Sequence, residues 1–218
     1  DGGNNDTPFY KSNLQIVLVD PHRPGHEVGY YPGETNLRVA DVVVIPKTGT
    51  ARPENIAAVR QTTSRINPAA RIIEADSVVA VAEPEKIKGC KVLVVEDGPT
   101  LTHGEMSYGA GYVAARKYGA GSIVDPRPYA VGSIKETFNK FGQVTEVLPA
   151  MGYGDEQVRE LQETINAVPC DAVLVGTPFN LSGMIKSDKP LVRVTYDLDE
   201  PGTAALEREL DAFLGRYC

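Results

Sequence analysis

Three observations predict an α/β protein of mainly parallel, Rossmann-like sheets flanked by helices, arranged in two lobes. Continuous apolar runs recur along the chain and end in polar residues, as strands buried on both faces do. Segments with helical spacing alternate with them, the signature of parallel sheets with crossover helices. The chain of 218 residues has room for one large or two small domains with a substantial core.

Leu14–Asp20 and Val39–Lys47 read as the first two strands. Pro53 stands where a helix begins, and Ile56, Val59 and Ile66 recur at helical spacing up to Asn67. Ala70–Ala75 is a third strand, and the charged, glycine-ended stretch Val81–Gly89 marks the expected boundary between lobes 1–88 and 89–218. The second lobe opens with the strand Lys91–Asp97, in which Glu96 and Asp97 read only as its polar end. A helix is expected from about Gly104 to Tyr118, then a short strand at Ser122–Pro126. Ser133 with Glu136 reads as a capping box. Thr145–Ala150, Asp171–Pro178 and Leu191–Leu198 are further strands. Val158, Leu161, Ile165 and Val168 form one helical stripe, and Leu206, Leu210, Phe213 and Leu214 form the last.

Composition narrows the function. The chain is 42% apolar and 23% charged with a net charge of −7, and its mean hydropathy is −0.21, as in ordinary globular proteins. That acidity argues against nucleic acid as a partner. No run approaches the roughly 18 apolar residues of a membrane span, and no secretory signal is read at the start, so a cytoplasmic protein without membrane contact is expected. Cys90, Cys170 and Cys218 are unevenly spaced with no C-x-x-C, which suggests reduced thiols. Residues 1–88 carry a net −1 and 89–218 a net −6, so the first lobe is the less hostile to a phosphorylated ligand. The chain begins with Asp1 rather than Met, and a fragment of a longer polypeptide is expected.

In parallel sheets ligands bind beyond the carboxyl ends of strands. All three histidines lie in two such loops: His22 and His26 beside Arg23, and His103 beyond Asp97, Thr100 and Thr102. His22 and His26 could be a metal pair, but Pro21, Pro24 and Gly25 argue against the helix that this needs. A rigid loop presenting Arg23 and two imidazoles to an anion, or a structural turn, are the other readings. Asp97 to Gly104 reads as an anion cradle at a helix start or as a simple N-cap. Arg127 between Pro126 and Pro128 suits either a ligand or an ion pair with Asp125. Loops 21–34, 97–106 and 125–133 are expected to converge on one anion site at the junction of the lobes. No G-x-x-x-x-G-K-[ST], G-x-S-x-G or H-E-x-x-H occurs.

DGGNNDTPFY, VDPHRPGHEVGYYPGETNLR, VVEDGPTLTHGEMSYGAGYVAA, IVDPRPYAVGSI and LPAMGYG resemble the C-terminal half of the family of cyclic 2,3-diphosphoglycerate synthases, or predicted P-loop GTPases. The resemblance implies an upstream region with a G-C-G-K-[ST] P-loop, supplied by the same polypeptide or a separate chain. It implies that Asp1 ends a Walker B strand and reaches Mg²⁺ through water. VVVIPKTGT resembles the family's V-V-V-I-N-K-V-D-T, with Pro46 in place of the Asn and Gly49 in place of the Asp. Lys47 keeps the position whose stem lies along the base. Loss of the acidic residue removes the acceptor pair for guanine N1–H and N2–H₂, so ATP and GTP both stay open.

By that resemblance the activity is ligase-type: ATP-dependent closure of 2,3-diphosphoglycerate to an intramolecular pyrophosphate. It calls for Mg²⁺ and for cations around the phosphates, with His22, Arg23, His26, His103 and Arg127 as catalytic candidates. Lys47, Asp97, Thr100, Thr102 and Gly104 are the nucleotide-binding candidates. A phosphorylated small-molecule substrate and a homo-oligomer are expected, with the chain inactive alone. The alternatives are a regulatory or chaperone-type nucleoside triphosphatase and an isolated anion-binding module.

Overall fold

The computed structural model describes residues 6–217 except His103, Glu105, Tyr153 and Thr203. Mixed α/β architecture with mostly parallel sheets is what the sequence predicts. The chain forms two compact units, 1–78 with 197–218 and 79–196. The last helix therefore groups with the first unit and not with the second half of the chain.

The first unit holds a three-stranded parallel sheet, β1 (Ile16–Leu18), β2 (Val42–Ile45) and β3 (Arg71–Glu74), in the order β1-β2-β3. Central β2 explains its own sequence. All four side chains are buried, and the period of two sends Val43 and Ile45 to one face and Val42 and Val44 to the other. The first face meets Leu37 of α2 (Tyr31–Val39) and Val59 of α3 (Pro53–Ile66), and the second meets Leu206 of α8 (Ala205–Tyr217). Asn67, buried after α3, donates through Nδ2 to the carbonyls of Leu37 and Ala40, each at 2.9 Å. This joins the ends of α2 and α3. The carboxylate of Glu200 accepts the N–H groups of Ala205 and Leu206 at 2.6 and 3.0 Å, satisfying donors left open at the start of α8.

The segment after β1 is less of a loop than predicted. A short α1 (His26–Gly29) is followed at once by α2, whose Pro32 occupies the first turn. There the missing N–H costs nothing and the fixed φ favours a helix.

The second sheet runs β4-β9-β8-β5-β6. Its strands are β4 (Asp76–Val81), β5 (Lys91–Asp97), β6 (Ser122–Ile123), β8 (Ala172–Val175) and β9 (Leu191–Asp199). β7 (Leu148–Ala150) pairs with the later half of β5, where β6 has already left: Lys91 faces Ser122, while Val95 faces Leu148. The helix expected from Gly104 to Tyr118 is instead two, α4 (Gly98–Thr102) and α5 (Ala110–Lys117), because extended Gly109 (φ −134°) starts α5 afresh. α6 (Gly132–Lys140) does not close with a Ser133–Glu136 box. Glu160 of α7 (Asp155–Ala167) takes both the N–H (3.0 Å) and the hydroxyl of Ser133. Among the described residues no helix is long and apolar enough to cross a membrane.

Candidate functional site

The carboxyl edge of the first sheet gathers the polar residues that end its strands. Asp20 follows β1 and is the hub. Its Oδ2 lies 2.7 Å from Lys47 Nζ, beyond β2, and 3.2 Å from Arg23 Nη2. Its Oδ1 accepts the backbone N–H of His22 at 3.0 Å. Only 13% of the Asp20 side chain is exposed, so the pair is partly shielded from solvent screening. Burial by itself raises the Asp20 carboxyl, but Lys47, the His22 N–H and Arg23 together outweigh it and hold it below the usual carboxylate range.

His22 belongs to the same cluster through Thr50. Its Nε2 stands 2.9 Å from Thr50 Oγ1, and the Thr50 hydroxyl donates to the Lys47 carbonyl at 3.3 Å. Because that hydroxyl proton is used, the network assigns the imidazole proton to Nε2. Burial lowers the His22 pKa, with Asp20 opposing and Lys47 and Arg23 adding to the effect, so the ring is neutral at pH 7. The cluster thus sets Lys47 and Arg23 around the Asp20 carboxylate, with the buried Glu27 lining the adjoining cavity. Lys47 sits at φ 61°, one of two described non-glycine residues with positive φ, a conformation that costs energy and concentrates at functional positions.

The cluster absorbs His22, Arg23 and Lys47, but His26 stands apart from it. The His26 ring packs edge-on against Tyr30, with centroids 5.3 Å apart. A cavity of about 150 Å³ opens beside it, lined in part by Asp20, Arg23, His26, Glu27 and Asn36. Among the described residues no three metal-binding side chains come together. Asp1 and His103 lie outside the described residues.

The remaining candidates belong to the second unit. Asp97 Oδ2 accepts from the Thr100 hydroxyl at 3.1 Å, a local turn. Thr102 is buried and its hydroxyl donates back to the Gly98 carbonyl at 3.0 Å, while the Gly104 N–H goes to the Pro99 carbonyl at 3.0 Å. Arg127 forms a fork with Asp125, Nε to Oδ1 at 3.0 Å and Nη2 to Oδ2 at 2.7 Å. The ion-pair reading of Arg127 is therefore the one its geometry satisfies.

Sequence reasoning missed Glu96. It is 1% exposed, and its Oε1 accepts the N–H groups of Gly109 (3.1 Å) and Tyr112 (2.8 Å) at the start of α5. A Cβ on Gly109 or Gly176 would fall 2.6 or 2.5 Å from Glu96 Oε2, so glycine at both positions makes room for the carboxylate. Burial pushes this carboxyl up to about 7 against those N–H groups, with Asp97 adding a smaller push. The available signal was its place: an acid inside a strand whose neighbours are buried on both faces.

No protein-family model matches the chain. Over 211 residues the chain is 57% identical to a Thermococcus kodakarensis protein named arginine synthetase ArcE. The match covers 97% of this chain and 47% of that protein, so the chain spans about half the length of this curated relative. The relative's name is that of a synthetase, and not that of a cyclic 2,3-diphosphoglycerate synthase.

Proposed function

We propose that this chain is part of an ATP-dependent ligase that forms a carbon–nitrogen bond, of the kind the name arginine synthetase describes. Its similarity to a protein of that name supports ligase-type chemistry. The observation that carries the site assignment is the Asp20–Lys47–Arg23 cluster at the carboxyl edge of the first sheet. That edge is where parallel sheets bind ligands, and its two cations share one carboxylate. Lys47 and Arg23 are the cation types that suit phosphate oxygens.

The nucleotide, when bound, supplies a phosphoryl group that makes a carbonyl oxygen a leaving group for attack by nitrogen. In that reaction Lys47 and Arg23 bind phosphate oxygens and orient them. Asp20 holds both side chains in place. Neutral His22, tied to Thr50, fixes the turn that carries Lys47. The residues fit a nucleotide's anionic part, whereas no metal set is derived from them.

A second reading, closure of 2,3-diphosphoglycerate, is favoured by the likeness of the loop segments to that synthase family. One experiment separates the two. The complete polypeptide carrying this chain is incubated with Mg²⁺–ATP and either citrulline (the ureido counterpart of arginine) with ammonia, or 2,3-diphosphoglycerate. The proposal expects ADP release and arginine in the first mixture. A cyclic pyrophosphate in the second, read by ³¹P NMR, would replace it, and nucleotide hydrolysis independent of both would favour a regulatory triphosphatase.

A further inference from the structure

We infer that the cavity beside Asp20 receives the nitrogen substrate as an ammonium ion, held by the Glu27 carboxylate. The inference rests on the carbon–nitrogen ligase reading of this sheet edge and adds the residue and the space that admit the nitrogen.

Glu27 is a buried carboxylate without a cation. It is 6% exposed and lines the cavity. Its Oε2 accepts the N–H of Gly25 at 2.7 Å, while Oε1 accepts from no described residue, and no described lysine or arginine forms an ion pair with it. A buried carboxylate left in that state is costly. Asp20, the other acid on the cavity wall, differs, because Lys47 and Arg23 already share it. The Glu27 carboxylate is also held in one orientation. Gly25 stands at φ 97°, and its N–H ties Oε2 to that left-handed turn. Val17, Val19 and Leu37 form an apolar part of the wall, and their side chains offer an entering ion no competing hydrogen bond.

Charge, donors and size together point to ammonium. A carboxylate oxygen only accepts hydrogen bonds, and ammonium only donates them. A metal cation wants a shell of several oxygen or nitrogen ligands, and among the described residues no three metal-binding side chains come together. The cavity of about 150 Å³ exceeds the roughly 30 Å³ share of a water molecule, to which ammonium is close in size, so it has room for the group that the nitrogen attacks as well. Arg23 lines the cavity and pairs with Asp20, which sets the nitrogen beside the cations assigned to phosphate. His26, also on the wall, supplies a ring nitrogen to take the proton that ammonium loses. The freed lone pair forms the C–N bond, the bond from carbon to the phosphorylated oxygen breaks, and its electrons leave with inorganic phosphate.

Glu27→Gln tests this with little change of shape. The Gly25 N–H requires an acceptor, so the amide oxygen takes the place of Oε2 and the NH₂ that of Oε1. The open acceptor becomes a donor and the charge is lost. The Gly25 amide, bonded to the same carboxylate, is the reporter. Ammonium chloride should shift its NMR resonance saturably in the 218-residue chain, about tenfold more tightly than potassium chloride at equal ionic strength, and Glu27→Gln should abolish the saturation. In the complete polypeptide with saturating ATP and citrulline, Glu27→Gln should raise the KM for ammonium roughly tenfold or more and leave that for ATP unchanged. The comparison of the two salts on wild type needs no variant. If potassium matches ammonium there, or no saturable shift occurs, the assignment falls. If arginine forms and Glu27→Gln keeps the wild-type KM for ammonium, the role of Glu27 falls and the ligase reading stands. A chain that binds ammonium selectively, within a polypeptide that makes no arginine, overturns the ligase reading and leaves the ammonium site.

Discussion

Lys47 Nζ lies 2.7 Å from Asp20 Oδ2, although 27 residues separate them and Lys47 must adopt φ 61°. The parallel register makes this contact possible. Leu18 faces Val44 across β1 and β2, so the residues just beyond each strand emerge side by side on one edge. Strain in the Lys47 backbone is offset by the ion pair and by the turn bonds from the Thr50 and Ala51 N–H groups to its carbonyl.

Asp20→Asn should destabilise the chain by about 1–2 kcal/mol at pH 7, because it leaves Lys47 and Arg23 without their shared carboxylate in a partly buried place. The Asp20 carboxyl is depressed in the folded state. Its contribution is therefore fully present above the unfolded value near 3.8 and is lost as pH falls through the lower folded value. Urea titrations should show the largest gap between wild type and variant near neutrality, closing in acid. A gap that widens in acid would contradict the ion pair.

How much of this was legible beforehand follows the range of the interactions. β2, β5 and β8 announce themselves as apolar runs, and α7 as a single stripe, because burial on two faces or along one stripe is a local pattern. The helices α1 and α2 were hidden in a segment rich in Pro, Gly and Tyr, where turn chemistry and helix initiation use the same residues. His22, Arg23 and Lys47 are visible as unusual basic residues beyond strands. Their common carboxylate is not, since Asp20 looks like any polar strand end until β1 and β2 are aligned. The hydrogen bond from the Gly49 N–H to Asp76 Oδ1 is likewise a contact between distant segments that no spacing rule encodes. The Ser133–Glu136 pattern misled, because Glu160 from another helix reaches Ser133 first.

Arg127 forms a surface pair. Its side chain is 47% exposed and that of Asp125 40%, so both are screened by water and salt. Arg127→Ala and Asp125→Ala should each leave Tm essentially unchanged, at low and at high salt. A marked loss of Tm in either variant would mean that the fork holds loop 125–133 in place.

Gly176→Ala probes the cage around Glu96. The new methyl would sit 2.5 Å from Glu96 Oε2 and 2.8 Å from the Gly111 backbone nitrogen. Backbone on one side cannot give way, so a loss of about 1–3 kcal/mol is expected from overpacking. Gly142→Ala, where a Cβ meets nothing within 4 Å, is the control and should be nearly neutral. Equal losses in the two variants would show that the cage is not tight.

Glu96 itself makes the chain's stability depend on pH in an unusual direction. Burial pushes the folded carboxyl up to about 7, against an ordinary value of 4.5. Between those values the unfolded chain is ionised while the folded one keeps its proton, so folding takes up a proton. Stability from this group is greatest below the unfolded value and falls as pH rises, levelling off above the folded one. A difference of this size corresponds to about 3 kcal/mol across the window. Glu96→Gln keeps the shape and the acceptor for the Gly109 and Tyr112 N–H groups but cannot ionise. Denaturation followed from pH 4 to 8 should therefore show wild type losing stability relative to Glu96→Gln as pH rises, with the change centred between the two titration values. If the two proteins run parallel across that range, Glu96 is charged throughout and the hydrogen bonds at the start of α5 outweigh its burial.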